Sequence, residues 1–141
     1  MKLSNLRHRV LYAEDNEDSR ELVSVTCQMS GIEVITAETA AEAWRLAQSE
    51  SFDLYLLDSR FPDGDGLELC RRLRLFAPLA PILFYSGDAY ESDRQKGLAA
   101  GASDYLTKPY MADLAATIRQ SIERINGTAG QTTTIYSQTS L

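Results

Sequence analysis

The sequence predicts an α/β domain in which five parallel strands form one sheet with helices packed on both faces. The first observation behind this is an alternation: five short apolar runs suited to buried strands are interleaved with five stretches of helical periodicity, and no segment repeats another. The second is that polar or turn-forming residues follow each run, as at strand ends in open parallel sheets. The third is size and composition, since 141 residues at 44% hydrophobic and 24% charged suit one domain that buries its own core.

Val10-Leu11-Tyr12-Ala13 reads as the first strand, stopping at Glu14-Asp15-Asn16. From Glu17 onward Leu22, Val25 and Met29 recur at helical spacing until Gly31, a natural stop, and Met29 is expected in the core. Ile32-Glu33-Val34-Ile35 alternates as a second strand would. Thr39 and Glu42 form a capping box for a second helix whose apolar face is Ala40, Ala43, Trp44 and Ala47. Leu54 to Leu57 is wholly apolar, as a central strand buried on both faces should be. It ends in Asp58, and a turn containing Pro62 follows, so Asp58 stands too far ahead of the third helix to cap it.

Leu69, Leu73 and Phe76 mark that third helix, which ends before Pro78. Pro81 to Tyr85 is the fourth strand and delivers Ser86-Gly87-Asp88. Tyr90 to Ala100 makes the weakest helical case, because Gly97 interrupts it and few apolar residues support it. Asp104 to Thr107 is a short fifth strand. Lys108-Pro109 then forms a hard boundary before a strongly amphipathic helix carrying Met111, Leu114, Ala115, Ile118, Ile122 and Ile125. The expected division is residues 1–8 as a lead, 9–126 as the domain, and 127–141 as a flexible polar tail.

Charge and cysteine usage narrow the function. A net charge of -6 gives no general attraction to nucleic acid or anionic membrane. No apolar segment reaches membrane-span length, no signal peptide is legible, and the cytoplasm is the expected compartment. Cys27 and Cys70 are spaced for core packing rather than metal binding. Asp63-Gly64-Asp65-Gly66 starts like a calcium loop, but Arg74 occupies the position where a ligating Glu is required, so a turn is expected. Arg71, Arg72 and Arg74 are expected on a solvated helix face.

Parallel strands bring their carboxyl ends to one edge, so Glu14, Asp15, Asp58, Ser86 and Lys108 converge there. Three carboxylates in one pocket repel, which is expected to raise their pKa values as a coupled set and to favour a cation. An all-oxygen site with room for water suits Mg2+, and a phosphoryl group fits beside it, meeting Lys108 and Ser86. Asp58, from the middle strand, is the candidate nucleophile, able to form an acyl phosphate.

In type, order and spacing these residues resemble the receiver domain of two-component response regulators, over about residues 8 to 126. The acidic pair is Glu14-Asp15, the phosphoacceptor Asp58 with Pro62 and Gly66 after it, the hydroxyl residue Ser86 before Gly87, the switch aromatic Tyr105, and the Lys-Pro pair Lys108-Pro109. The resemblance implies a flavodoxin-like doubly wound sheet of order 2-1-3-4-5 with five helices. It implies Mg2+ bound by Asp15, Asp58 and the backbone carbonyl of Arg60, with Glu14 acting through water. Asp58 would take a phosphoryl group from a sensor histidine kinase, a histidine phosphotransfer protein or a small acyl phosphate, Lys108 would grip it, and Ser86 would move toward it.

By the same resemblance Tyr105 would turn inward and change the face of the fourth helix, fifth strand and fifth helix, through which a downstream protein or a homodimer partner is engaged. A cis Lys108-Pro109 bond also follows from the resemblance. Without a DNA-binding helix pair after residue 126, a stand-alone switch with no direct nucleic-acid or membrane contact is expected. Two departures stand out: Phe61 replaces the usual Met, and Arg60 and Asp88 flank the route of water to an acyl phosphate. A phosphorylation-independent interaction module is the alternative, disfavoured by the intact site residues. A phosphatase is disfavoured because Arg60 stands where its general acid is needed.

Overall fold

Five strands pair in parallel: β1 (His8–Ala13), β2 (Ile32–Ala37), β3 (Leu54–Leu57), β4 (Ile82–Ser86) and β5 (Asp104–Thr107), in the order β2-β1-β3-β4-β5. The computed structural model describes residues 8–110 and 113–125. Helices α1 (Glu17–Gln28), α2 (Ala40–Ser49), α3 (Gly66–Phe76) and α4 (Glu91–Ala99) join the strands, and α5 covers residues 114–125. The expected winding and its five helices are thus present. Met111 and the 127–141 segment lie outside the described residues, as does most of the 1–8 lead. His8, assigned to that lead, instead pairs with Ile32 in β1.

The sheet divides the core by side-chain alternation. Leu54 and Leu56 of β3 join Val10, Tyr12, Leu83, Tyr85 and Leu106 under α1 and α5, where Val23, Cys27, Leu114 and Ile118 meet them. Tyr55 and Leu57 point the other way, to Leu11, Phe84 and Tyr105 under α2, α3 and α4. Both cysteines are fully buried, one in each layer.

The expected face of α1 is corrected. Leu22, Val25 and Met29 lie on the solvent side, Met29 at 82% exposure, while Val23 and Cys27 meet the sheet. Two apolar stripes overlap on this helix, and only one can face inward. Trp44 packs partly buried against the core, with Phe76 edge-on at 5.6 Å and the Arg72 guanidinium 4.7 Å above its ring. Arg74 is likewise not a solvated side chain. Its guanidinium donates to the carbonyls of Ala77, Pro78, Ala80 and Gly101, stapling the loops at the amino ends of β4 and β5.

Caps fix the helices that lead away from the site. Asn16 accepts from Ser19 N at the start of α1. Thr39 accepts from Glu42 N at the start of α2, while the Glu42 carboxylate reaches back to Glu38 N rather than to Thr39. Asp65, not Asp58, caps α3 by accepting from Glu68 N. The Asp63–Gly66 segment is a turn: Arg60–Phe61 and Gly64–Asp65 form a small antiparallel hairpin. Asp63 also braces α2 from outside, accepting from Ala40 N and Ala41 N at 2.9 Å each. No helix among the described residues is long and apolar enough to cross a membrane.

Candidate functional site at the carboxyl edge of the sheet

Strand register brings the predicted residues together. Ala13 is level with Leu57, Leu57 with Phe84, and Ser86 with Thr107. One residue further on, Glu14 N donates to Ala37 O, Asp58 N to Ala13 O and Lys108 N to Ser86 O, so the ladder carries these residues to its rim. Gly66 seats the first turn of α3 directly behind them, where a Cβ would collide with the Asp58 carbonyl and lie 2.9 Å from Phe84 Cε1.

The three acids sit in different surroundings. Glu14 is 1% exposed, and its carboxylate accepts from Tyr12 Oη at 3.0 Å, from Asn16 N at 3.1 Å and from Lys108 Nζ. Asp58 is half-buried, accepts from Ser59 N at 2.7 Å, and has Lys108 Nζ 3.6 Å away. Asp15 is exposed. Carboxylate oxygens of Glu14, Asp15 and Asp58 lie within 4.8 Å of one another. Such a hard, all-oxygen donor set fits a divalent cation of the Mg2+ type.

The electrostatics divide the cluster rather than raising it as a set. Burial, reinforced by repulsion from Glu14, pushes the Asp58 carboxyl up to about 6 against the opposing pull of Lys108. Burial also opposes ionisation of Glu14, but the hydrogen bonds from Lys108 and Asn16 N outweigh it and hold its pKa below the usual value. The expected common rise is therefore wrong for Glu14, because Lys108 sits closest to the deeper acid. Lys108 is held above its ordinary value: burial works against its charge, and Glu14 and Asp58 outweigh burial. Its ammonium also lies 5.7 Å from the Tyr85 ring centroid.

Ser86 and Tyr105 belong to an adjoining network. Ser86 Oγ lies 2.7 Å from Ser59 Oγ and accepts from Asp88 N at 3.0 Å. Ser59 Oγ donates to Asp88 Oδ2 at 2.8 Å, and Arg60 grips both Asp88 oxygens through Nε at 3.1 Å and Nη2 at 3.2 Å. Hydrogen bonds from Ser59 and then Arg60 hold the Asp88 carboxyl below its ordinary pKa. Tyr105 donates to Asp88 O at 2.7 Å, and its buried ring packs 5.5 Å from that of Phe84. Tyr105 is thus already turned inward. The Lys108-Pro109 bond is cis. Sequence reasoning missed Ser59, whose only signal was its place beside Asp58.

Residues 10–119 match the response regulator receiver domain family. The chain belongs to that family. Receiver domains are regulatory signalling domains of two-component systems and not classical enzymes. Among its relatives is the alkaline phosphatase synthesis transcriptional regulatory protein PhoP of Bacillus subtilis, 37% identical over 105 residues, covering 74% of this chain and 44% of PhoP. Another is the KDP operon transcriptional regulatory protein KdpE of Escherichia coli, 36% identical over 120 residues, covering 84% of this chain and 53% of KdpE. The chain spans about half the length of the curated relatives it matches. Since these relatives are named as transcriptional regulators, the expectation of no direct nucleic-acid contact finds no support among them. Solved structures agree in fold. The chemotaxis response regulator CheY4 of Vibrio cholerae is 31% identical with a TM-score of 0.75, covering 82% of this receiver and 98% of CheY4. A CheY-like receiver domain protein from Methanospirillum hungatei is 27% identical with a TM-score of 0.81, covering 86% and 98%.

Proposed function

We propose that this receiver domain is a phosphorylation-controlled switch in which Asp58 accepts a phosphoryl group from a sensor histidine kinase or a histidine phosphotransfer protein. The observation that carries this reading is the meeting of Glu14, Asp15, Asp58 and Lys108, from three strand ends, at one point on the carboxyl edge of the sheet. Asp15, Asp58 and the Arg60 carbonyl would hold Mg2+, with Glu14 acting through water. When bound, Mg2+ supplies the positive charge that lets a phosphoryl group approach three acids.

The Asp58 carboxylate attacks phosphorus as the P–N bond to the donor imidazole breaks, leaving an acyl phosphate on Asp58 and the imidazole on the partner. Lys108 would swing its ammonium from the Glu14–Asp58 pair to pair with the new phosphoryl oxygens. Ser86 donates its hydroxyl to one of them. Displacing Ser86 disturbs the β4–α4 loop, and Tyr105 reads that change through its bond to Asp88 O. The outcome is a population shift on the α4-β5-α5 face, on the order of 1–3 kcal/mol, presented to a downstream protein or a second copy of the chain. A cytoplasmic location goes with this reading, and the receiver unit runs from His8, the first residue of β1, with the polar residues 127–141 after it.

Incubation with acetyl phosphate and Mg2+, followed by intact mass, tests the assignment. One added phosphoryl group is expected on the wild-type chain and none on Asp58→Asn. Equal labelling of the two overturns it.

A further inference from the structure

The hydroxyl that the switch needs is committed elsewhere in the resting protein. The Asp88 carboxylate, paired with Arg60 through both oxygens, can only accept hydrogen bonds. Ser59 therefore spends its single hydroxyl proton on Asp88 Oδ2, at 2.8 Å. The 2.7 Å contact between Ser59 and Ser86 then has one direction left, with Ser86 donating to Ser59 Oγ. Ser86 Oγ in turn accepts from Asp88 N at 3.0 Å, which closes a ring running Asp88 N–H, Ser86 hydroxyl, Ser59 hydroxyl, Asp88 carboxylate. Ser86 has one proton, and although the Tyr105 hydroxyl also lies close by, the ring directs it to Ser59 Oγ.

We infer that Ser59 is a positioning residue that keeps the Ser86 hydroxyl in reserve, in a ring locked by Asp88 and clamped from solvent by Arg60. This rests on the reading of Asp58 as phosphoacceptor, and it names what a phosphoryl group on Asp58 must compete with. Ser86 cannot donate to a phosphoryl oxygen until it leaves Ser59. Because Ser59 directly follows Asp58 and its N–H binds the Asp58 carboxylate, the competitor moves with the phosphorylated residue. Tyr105 rests on the carbonyl of the same Asp88, so opening the ring loosens the support of the switch aromatic. The ring raises the threshold for switching.

Beryllofluoride with Mg2+, a mimic of the bound phosphoryl group, provides the probe. Removing a competing hydrogen bond of ordinary net strength predicts that Ser59→Ala binds beryllofluoride about fivefold more tightly than wild type. Ser59→Thr, which keeps a hydroxyl, should return to the wild-type value. Equal or weaker binding by Ser59→Ala overturns the ring. Should wild-type protein fail to bind beryllofluoride, the phosphoacceptor reading falls, and the ring is decided by melting the metal-free chain. There the double variant Ser59→Ala/Asp88→Ala should melt above the temperature that the summed single losses predict. Strict additivity of the two losses overturns the ring.

Discussion

Each end of the sheet gathers three acids around one cation, but one end does so in water and the other in the protein interior. At the amino end, Arg9 spreads one guanidinium over Glu33, Glu50 and the Ser51 carbonyl, and its backbone N–H meets Asp53. Arg74 does the same work for the carbonyls of Ala77, Pro78, Ala80 and Gly101. At the carboxyl end, one ammonium faces Glu14 and Asp58, with Asp15 beside them. A fold held only for stability has no reason to bury one of those acids and leave it sharing its only cation. The acids around Arg9 stay partly solvated, so water screens them. At the carboxyl end Glu14 is buried and shares its one ammonium with Asp58, and the shortage of compensating charge there is what the proposed cation and phosphoryl site would relieve.

Removing the cation from each end should break the symmetry most visibly. Lys108→Ala leaves the buried Glu14 carboxylate without its main partner, and a loss of about 2–3 kcal/mol in the metal-free chain is expected by denaturant titration. A loss below the error of the titration would mean that Lys108 is not the group balancing these acids. Removing an anion from the same end should have the opposite sign. Between the ordinary Asp value of 3.8 and about 6, the folded chain keeps the Asp58 proton that the unfolded chain releases. That contribution is fully present only below the ordinary value of 3.8 and is lost as pH rises through about 6. Asp58→Asn should therefore be more stable than wild type at pH 7, by on the order of 1–3 kcal/mol, with a flatter profile from pH 4 to 6. Glu14, held below its ordinary value, acts only in more acidic solution and with the reverse slope. At the amino end, Arg9→Ala should cost less than about 1 kcal/mol, since its ion pairs are partly solvated, and added salt should shrink the loss further. An Arg9 effect as large as that of Lys108 would erase the distinction between the two ends.

Much of this was legible because strand ends are. Leu54–Leu57 and Asp104–Thr107 match their expected bounds, the first a wholly apolar run and the second an apolar Tyr105-Leu106 pair held between polar ends. Once the strands are placed and parallel, Glu14, Asp58, Ser86 and Lys108 can only meet at one edge. What stayed hidden depends on contacts distant in sequence. The face of α1 could not be chosen from two overlapping stripes. Gly97, which looked like a flaw in α4, lies where the helix crosses the aromatic pair: a Cβ would stand 2.9 Å from Tyr105 Cδ2 and 3.1 Å from Phe84 Cδ2. The fall of the Glu14 pKa needed Lys108, 94 residues away, to bond to it in preference to Asp58. Ser59 carries no pattern at all, because its partners Ser86 and Asp88 arrive from another strand end.

Thermal melting with and without Mg2+, run on wild type and Asp58→Asn side by side, reads the charge shortage at the carboxyl edge most directly. Millimolar Mg2+ should stabilise the wild-type chain by on the order of 2 kcal/mol as the site fills, and the Asn variant should lose most of that gain. A wild-type melting temperature indifferent to Mg2+ would contradict the account.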